Sequence, residues 1–254
     1  MTDTDTANDT LYMLQMWLEL RRLVELARAL HLPLQQTDHN YITHCALREL
    51  FQEDAPDLFC VEDHSQRFLR VLAYSKLPAD RLQTVARGFA GPMVFETCDW
   101  SRLAAKPMPT SFAAGTQLAF GLRACPVVRK SSAGKHHGAG VEVDAFLSKV
   151  WEVDDPDVPV DREQVYAEWL QDQLARRGGA EAISIRLKRF SLERMVRRTQ
   201  GSGRKASVIK RPAATLTGEL TVTDGPAFTE LLQRGIGRHK SFGFGMLKVR
   251  RRGR

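Results

Sequence analysis

The feature that most constrains the fold is an order of strands and helices that occurs twice along the 254 residues. Alternating apolar residues indicate half-buried strands, whereas apolar residues at three- and four-residue spacing indicate amphipathic helices. In the first half, these patterns predict strands at residues 11–19, 57–62, 68–74 and 116–130 and helices at residues 20–30, 40–51 and 79–88. The order is β-α-β-β-α-β, typical of a ferredoxin-like unit, with one extra helix after the first strand.

The second half has a similar order. Its predicted strands are residues 183–190, 206–209, 215–223 and 246–249, and its predicted helices are residues 162–176 and 224–234. Between the halves, residues 131–140 (SSAGKHHGAG) lack periodicity, which predicts a flexible connector. The sequence therefore predicts an α+β protein with two tandem ferredoxin-like (RRM-like) domains, residues 1–130 and 141–254, and a helical insertion after the first strand. Such units commonly bind RNA.

The basic residues are concentrated in the last third of the chain. Residues 184–254 contain 18 Lys and Arg against 4 Asp and Glu, a net charge of +14 in a chain of net charge +7, so residues 1–183 carry −7. This asymmetry is typical of a nucleic-acid-binding protein. A solvated basic surface is the alternative. Membrane binding is disfavoured, because the basic residues lie in strand-like segments rather than along an amphipathic helix.

Residues 235–245 (GIGRHKSFGFG), here called the glycine loop, contain four glycines. Glycine permits positive φ and lets backbone N–H groups approach a phosphate, to which Arg238 and Lys240 would add charge. The loop matches neither G-x-x-x-x-G-K-[ST] nor a G-x-G-x-x-G that opens a helix, so a polynucleotide is favoured over a nucleotide cofactor. Phe242 and Phe244 are expected to anchor the loop to the core, with base stacking as the alternative.

Several other classes of protein are disfavoured. No apolar run approaches the roughly 20 residues needed to span a bilayer, and the first ten residues are polar and acidic, unlike a signal peptide. The four cysteines are widely spaced without a C-x-x-C pair, which favours a reduced compartment and disfavours a zinc site. We therefore expect a cytoplasmic protein without a cofactor, a bound metal or a membrane partner.

Tyr41 and His44 are the strongest candidates for acid–base chemistry. They lie at positions i and i+3 near the start of an amphipathic helix, so their side chains share one face. Histidine titrates near neutral pH without tuning. RNA cleavage suits this set, because the substrate supplies its own 2′-OH nucleophile and the protein must move two protons and stabilise the phosphorane. A structural role for His44 is the alternative.

Three segments resemble the CasE-type CRISPR repeat endoribonucleases of the RAMP superfamily. Residues 40–51 (NYITHCALRELF) resemble the family's Y-x-x-H-x-x-L-x-x-L-F stretch, and residues 118–129 (LAFGLRACPVVR) resemble its strand with an L-R-A-x-P core. Residues 216–247 resemble its C-terminal block, including the glycine loop. The three matches occur in family order and span nearly the whole chain.

The resemblance implies metal-independent cleavage of the repeat stem-loop in a long CRISPR transcript, with a 2′,3′-cyclic phosphate product. It also implies that the product hairpin is retained in a crRNA-guided complex with other subunits. By position, the family's catalytic histidine falls on His44, its helper tyrosine on Tyr41 and its phosphate-contacting lysine on Lys210, while its basic hairpin corresponds to residues 186–205. The residues predicted to bind RNA are Arg123, Arg129, Lys130, Arg186, Lys188, Arg189, Arg194, Arg197, Arg198, Arg204, Lys205, Arg211, Gly235, Gly237, Arg238, His239 and Lys240.

The chain departs from the family in the segment before the Tyr41/His44 helix. Residues 20–39 replace a shorter loop, and this insertion is predicted to cover the active site or contact another subunit. It leaves open a divergent branch from a type IV rather than a type I-E system. Two alternatives to the nuclease also stay open: a non-catalytic RAMP subunit that caps the crRNA hairpin, and an unrelated RNA-binding module that stacks single strands on its sheets.

Overall fold

The computed structural model describes residues 10–33, 38–155, 157–198 and 206–252. The strands are β1 (Tyr12–Glu19), β2 (Leu58–His64), β3 (Phe68–Ser75), β4 (Ala104–Pro107), β5 (Gln117–Ala124), β6 (Val127–Arg129), β7 (Glu142–Asp144), β8 (Ala180–Arg198), β9 (Ala206–Val222) and β10 (Leu247–Arg251). The helices are α1 (Leu20–Ala29), α2 (His39–Phe51), α3 (Ala79–Phe89), α4 (Pro92–Phe95), α5 (Ala145–Val153), α6 (Arg162–Arg177) and α7 (Gly225–Arg234). Over these residues, no helix has the length and apolar character that crossing a membrane requires.

The strands form two four-stranded antiparallel sheets and one small hairpin. The first sheet has the order β2-β3-β1-β4, and the second has the order β10-β5-β9-β8. Numbered within its own unit, each sheet therefore has the order 4-1-3-2 of a ferredoxin-like fold. Helices pack against the sheets in both units. The predicted α+β class with two tandem ferredoxin-like units is confirmed, and α1 is the predicted helical insertion.

One strand belongs to a different sheet from the one predicted. Residues 116–130 were expected to complete the first sheet, but β5 pairs with β9 and β10 and is the first strand of the second sheet. The short edge strand β4 completes the first sheet instead. Strand β4 has only four residues, which are mostly exposed, so its sequence shows no alternation of apolar and polar residues. The alternation in β5 would fit an inner strand of either sheet. The domain ranges 1–130 and 141–254 stay a prediction, and the sheet membership of β5 favours a boundary before Gln117.

The predicted connector is part of the second unit. Residues 131–140 form the loop of a hairpin in which β6 pairs with β7, and Gly134 and His137 bridge within that loop. The short strands predicted at residues 183–190, 206–209 and 215–223 are parts of β8 and β9, which pair along almost their whole length. A loop between two short strands has the same polar composition as a linker between domains, so composition alone did not distinguish them.

Helix α2 begins where the sequence predicts it. The side chain of Asp38 accepts a hydrogen bond from the Tyr41 backbone N–H at 2.8 Å, which satisfies one of the free donors at the helix start. The apolar face that includes Ile42 and Leu47 is buried against the first sheet together with residues of α1 and β1. This burial leaves Tyr41 and His44 on the side of the helix that faces the second unit.

The two units share an apolar cluster. Leu58 and Tyr74 of the first sheet are buried with Leu118 and Leu247 of the second. The Tyr74 hydroxyl donates a buried hydrogen bond of 2.8 Å to the Leu247 carbonyl oxygen. Because that carbonyl would be left without its partner if the hydroxyl were removed, this bond is a testable part of the contact between the units.

Tyr74→Phe should lower the free energy of unfolding by about 1–3 kcal/mol, the usual cost of leaving a buried polar group unsatisfied. Urea denaturation followed by circular dichroism measures the change. Tyr12→Phe on neighbouring β1 is the matched control, since the structure gives the Tyr12 hydroxyl no hydrogen bond within the described residues. Equal stability of the two variants would show that the Tyr74 hydroxyl contributes nothing across the contact.

Candidate active site

A cleft of about 590 Å³ lies where α2 meets the glycine loop. Tyr41 and His44 line it from α2, Glu142 lines it from β7 and Ile209 lines it from β9. Residues 237–242 of the glycine loop complete the wall. The cleft thus joins groups from both ferredoxin-like units. In the sequence, the two residues of α2 precede those of the glycine loop by most of the length of the chain.

The glycines of the loop allow close packing. Gly235 has φ of +67°, and a Cβ there would lie 2.6 Å from the Gly245 carbonyl oxygen. The N–H groups of Gly235, Gly243 and Gly245 donate to carbonyl groups of the chain itself. Of the four glycines only Gly237 lines the cleft. The expectation that the N–H groups of the loop approach a phosphate is therefore wrong for these three. Gly235, predicted to bind RNA, instead forms the turn that ends α7.

Aromatic stacking holds the loop against α2. The ring of Phe242 stacks on that of Tyr41, with centroids 5.0 Å apart and planes inclined by 21°. Phe242 and Phe244 are buried, so the prediction that they anchor the loop is confirmed. Arg123 donates to the Phe242 carbonyl oxygen at 2.8 Å and pairs with Glu193. Its guanidinium therefore braces the loop, although the sequence analysis assigned Arg123 to RNA binding.

His44 is half-buried beside Tyr41, with ring centroids 6.1 Å apart. Within the described residues, neither nitrogen of its ring has a hydrogen-bond partner. Burial lowers its pKa below the ordinary value for histidine, and the nearby Arg48 guanidinium lowers it further, while Asp57 opposes the shift. The neutral imidazole is therefore favoured at neutral pH, in a position where it can accept a proton.

The insertion reaches this histidine. Leu30 and Leu32 line a cavity of about 290 Å³ together with Tyr41 and His44. Buried residues on α1 pack in the same apolar cluster as α2. The position of the insertion beside the cleft agrees with the expectation that it covers this side of the site.

Glu142 gathers three cationic or titratable side chains on the opposite wall. Its carboxylate accepts a hydrogen bond from Arg238 at 2.7 Å and lies 2.8 Å from Nε2 of His239 and 3.5 Å from Arg211. Burial alone would raise the pKa of Glu142, but the hydrogen bonds from His239 and Arg238 lower it below its usual range. We call these four residues the Glu142 cluster. It places two guanidinium groups and one imidazole beside the cleft.

A sequence model of the CRISPR associated protein family matches residues 11–251 of the chain. The chain belongs to that family. The resemblance seen in the sequence is thereby confirmed at the level of the family, because the match extends over both ferredoxin-like units and the glycine loop. A search of curated protein sequences finds no match.

Solved structures of CRISPR proteins have the same fold. The CRISPR endoribonuclease Cse3 bound to a 19-nucleotide RNA is 19% identical, with a TM-score of 0.62 over 94% of this chain and 99% of that one. Cas6e from Escherichia coli K-12 is 22% identical, with a TM-score of 0.56 over 94% and 99%. A chain of a CRISPR RNA-guided surveillance complex in a pre-nicking state is 18% identical, with a TM-score of 0.52 over 94% and 99%.

The residues predicted to form the site of this CRISPR associated protein are distributed unevenly around the cleft. On β9, Ile209 lines the cleft and Arg211 contacts Glu142 of the cleft wall, whereas the intervening Lys210 is exposed. Successive side chains of a strand point to opposite faces, which explains the difference. Neither Arg211 nor Lys210 is itself among the residues that line the cleft. The catalytic role of Lys210 stays a prediction, and the geometry favours Arg211 as the cation of this strand. Lys240 lines the cleft and donates to the Arg234 carbonyl oxygen.

The remaining predicted RNA-binding residues lie along β6 and the β8–β9 hairpin. Arg129 bonds the Gly140 carbonyl oxygen, Lys130 pairs with Glu152, and Arg186 pairs with Glu163. Exposed positions on β8 include Lys188, Arg189 and Arg194. Arg197 and Arg198 end β8 opposite Ser207 and Ala206, and Arg204 and Lys205 lie outside the described residues.

Glu142 is the member of the site that sequence analysis missed. It follows the predicted connector directly, and the local pattern contains no motif that would associate an acidic residue with the basic glycine loop. The alternation Val141, Glu142, Val143 is typical of a short strand and would have indicated β7. Its partners lie 69 to 97 positions away in the chain, so only the fold brings them together.

Arg48→Gln should raise the pKa of His44, because the repulsion between Arg48 and the imidazolium is removed while the attraction of Asp57 remains. Titration of the His44 ring protons by NMR measures the shift. Arg81→Gln, an exposed change on α3, is the control and should leave the titration unchanged. An unaltered pKa in Arg48→Gln would mean that Arg48 does not contribute to the lowered pKa of this histidine.

Proposed function

We propose that this CRISPR associated protein is an endoribonuclease that cleaves repeat stem-loops in precursor transcripts to give mature crRNA. One observation carries the proposal: Tyr41 and His44 line a single cleft together with Glu142, Arg238 and His239 of the Glu142 cluster. Proton-transfer groups on one wall and anion-binding groups on the other are what phosphodiester cleavage by an internal nucleophile needs. The likeness to Cse3, which was solved bound to RNA, supports the assignment.

In the proposed reaction, the 2′-oxygen of the nucleotide before the cut attacks the adjacent phosphorus. The 2′-OH proton passes to a base of the protein, the bond from phosphorus to the 5′-oxygen breaks, and that oxygen receives a proton. The products are a 2′,3′-cyclic phosphate and a 5′-OH end. His44 transfers one of the two protons, Tyr41 assists, and Arg211 and Arg238 neutralise the negative charge that builds up on the phosphorane. No metal ion is required.

The β8–β9 hairpin is suited to hold the RNA stem beside the cleft. Strand β5 pairs with β9 only as far as Ala214, so residues 206–213 and their partners 191–198 extend past it as a two-stranded ribbon of about 27 Å. Met195 packs with Phe242 in one apolar cluster, which attaches this ribbon to the glycine loop. Basic residues on the ribbon would then follow a row of phosphates while the scissile bond enters the cleft.

We further propose that the protein retains the product hairpin as a subunit of a crRNA-guided complex. The likeness to a chain of a CRISPR RNA-guided surveillance complex supports this partner class. Incubating the purified protein with repeat RNA in EDTA tests both activity and binding. Cutting supports the nuclease, tight hairpin binding without cutting would indicate a capping subunit, and a preference for unpaired RNA would indicate an unrelated RNA-binding module.

His44→Ala should slow cleavage by about 10²–10⁴-fold, the usual contribution of one acid–base group. Affinity for the hairpin should stay nearly unchanged, because the ribbon and the loop make the proposed contacts. Single-turnover rates and filter binding measure the two quantities. A substrate with a 2′-deoxy nucleotide before the cut should bind but resist cleavage. Wild-type rates in His44→Ala would remove this residue from the mechanism, and cutting of the deoxy substrate would indicate another nucleophile.

Neutralising Arg197 and Arg198 together should weaken hairpin binding and flatten its salt dependence. Each lost phosphate contact should reduce the slope of log K against log salt by somewhat less than about one unit. The double variant Arg21→Ala/Arg28→Ala removes the same charge from exposed positions of α1 and serves as the control. Equal slopes for the two variants would mean that the ribbon is only a solvated basic surface.

A further inference from the structure

The cleft contains a second histidine whose surroundings suit proton transfer. His239 lies in the glycine loop and lines the cleft with His44, which belongs to the other ferredoxin-like unit. Its side chain is 15% exposed, and its Nε2 lies 2.8 Å from Oε2 of Glu142, whose side chain is 14% exposed. A carboxylate that bonds one ring nitrogen of a histidine selects the tautomer and leaves the other nitrogen able to accept a proton.

The backbone at His239 is held in an unfavourable conformation. Its φ of +61° lies in the left-handed region, where residues with a Cβ are uncommon and glycine or asparagine is preferred. The loop has glycine at four other positions but histidine at this left-handed one. This suggests that the side chain of His239, rather than its backbone conformation, is what the position requires. Such conformations persist where the surrounding contacts hold them, and they occur often at functional sites. The bond to Glu142 is a contact of this kind.

Burial and the neighbouring cations oppose the effect of Glu142 on the pKa of His239. Glu142 on β7 favours the charged ring, whereas burial, Arg211 on β9 and the adjacent Arg238 favour the neutral ring, so that the pKa is lowered overall. Burial also lowers the pKa of His44, but the ring of His44 is next to Arg48 and has no bonded carboxylate. Two imidazoles of unlike surroundings therefore face one cleft.

We propose that His239, oriented by Glu142, is the second proton-transfer group of the reaction and acts as the complement of His44. One imidazole takes the 2′-OH proton while the other, in its protonated form, gives a proton to the departing 5′-oxygen, so the two protons balance and no co-reactant is needed. Glu142 is a positioning residue, because it acts through the imidazole. This inference rests on the proposed endoribonuclease function and changes the role of His239 from phosphate contact to catalysis.

Single-turnover cleavage of repeat RNA in EDTA, at saturating protein, tests the assignment. His239→Gln should lose about 10²–10⁴ in rate with hairpin binding retained, and Glu142→Gln should lose less. Without its carboxylate, His239 should titrate at lower pH, so the corresponding limb of the pH–rate profile should move to lower pH in Glu142→Gln. His136→Gln, an exposed histidine stacked on Trp151 outside the cleft, is the control and should cleave at the wild-type rate.

A substrate with sulfur in place of the scissile 5′-oxygen separates the two roles, because a thiolate leaves without a proton. This substrate should restore near wild-type rates to only one of His44→Ala and His239→Gln, namely the variant that lacks the acid. Rescue of both variants or of neither would overturn the complementary pair. Wild-type rates in His239→Gln would overturn this inference alone, whereas a wild-type protein that cuts no repeat RNA would overturn the proposed function together with it.

Discussion

The contact between α2 and the glycine loop is the interaction on which the candidate site depends. Tyr41 stacks on Phe242, and the first unit supplies one wall of the cleft while the second supplies the other. Neither unit by itself contains both Tyr41 and His44 of α2 and the cations of the loop. Arg123 also donates a hydrogen bond to the Phe242 carbonyl oxygen and so helps to hold Phe242 in place against Tyr41. The packing between the units therefore sets the geometry of the chemistry.

Charge is balanced differently at the two walls. On α2, burial and Arg48 favour a neutral His44. On the opposite wall, the half-buried carboxylate of Glu142 pairs with two guanidinium groups and an imidazole, which therefore lie close together. A phosphate that enters this cleft would meet cations already in place, and preorganised donors of this kind require little reorganisation when charge develops.

The glycine loop illustrates how a motif can be found for one reason and used for another. Its four glycines suggested outward N–H groups, yet three of them donate to the protein's own carbonyl oxygens. Their value is that a main chain without Cβ atoms can approach Leu58 and Asn40 of the first unit closely. The side chains of residues 238–242 line the cleft, whereas Gly235, Gly243 and Gly245 do not. One loop conformation thus brings the glycines into close packing and places Arg238 and Lys240 at the cleft.

The sequence by itself determined most of the helices and strands and the class of fold. Periodicity located α2 to within one residue, and the repeated strand–helix order predicted two ferredoxin-like units, because these signals arise from local burial. Tyr41 and His44 were recognised since their spacing on one helix is a local property. Only the tertiary structure decided that β5 joins the second sheet, that Arg211 rather than Lys210 contacts Glu142 and that Glu142 binds Arg238 and His239. These features depend on strand pairing and on contacts between residues far apart in the chain, and neither leaves a trace in the spacing of neighbouring residues.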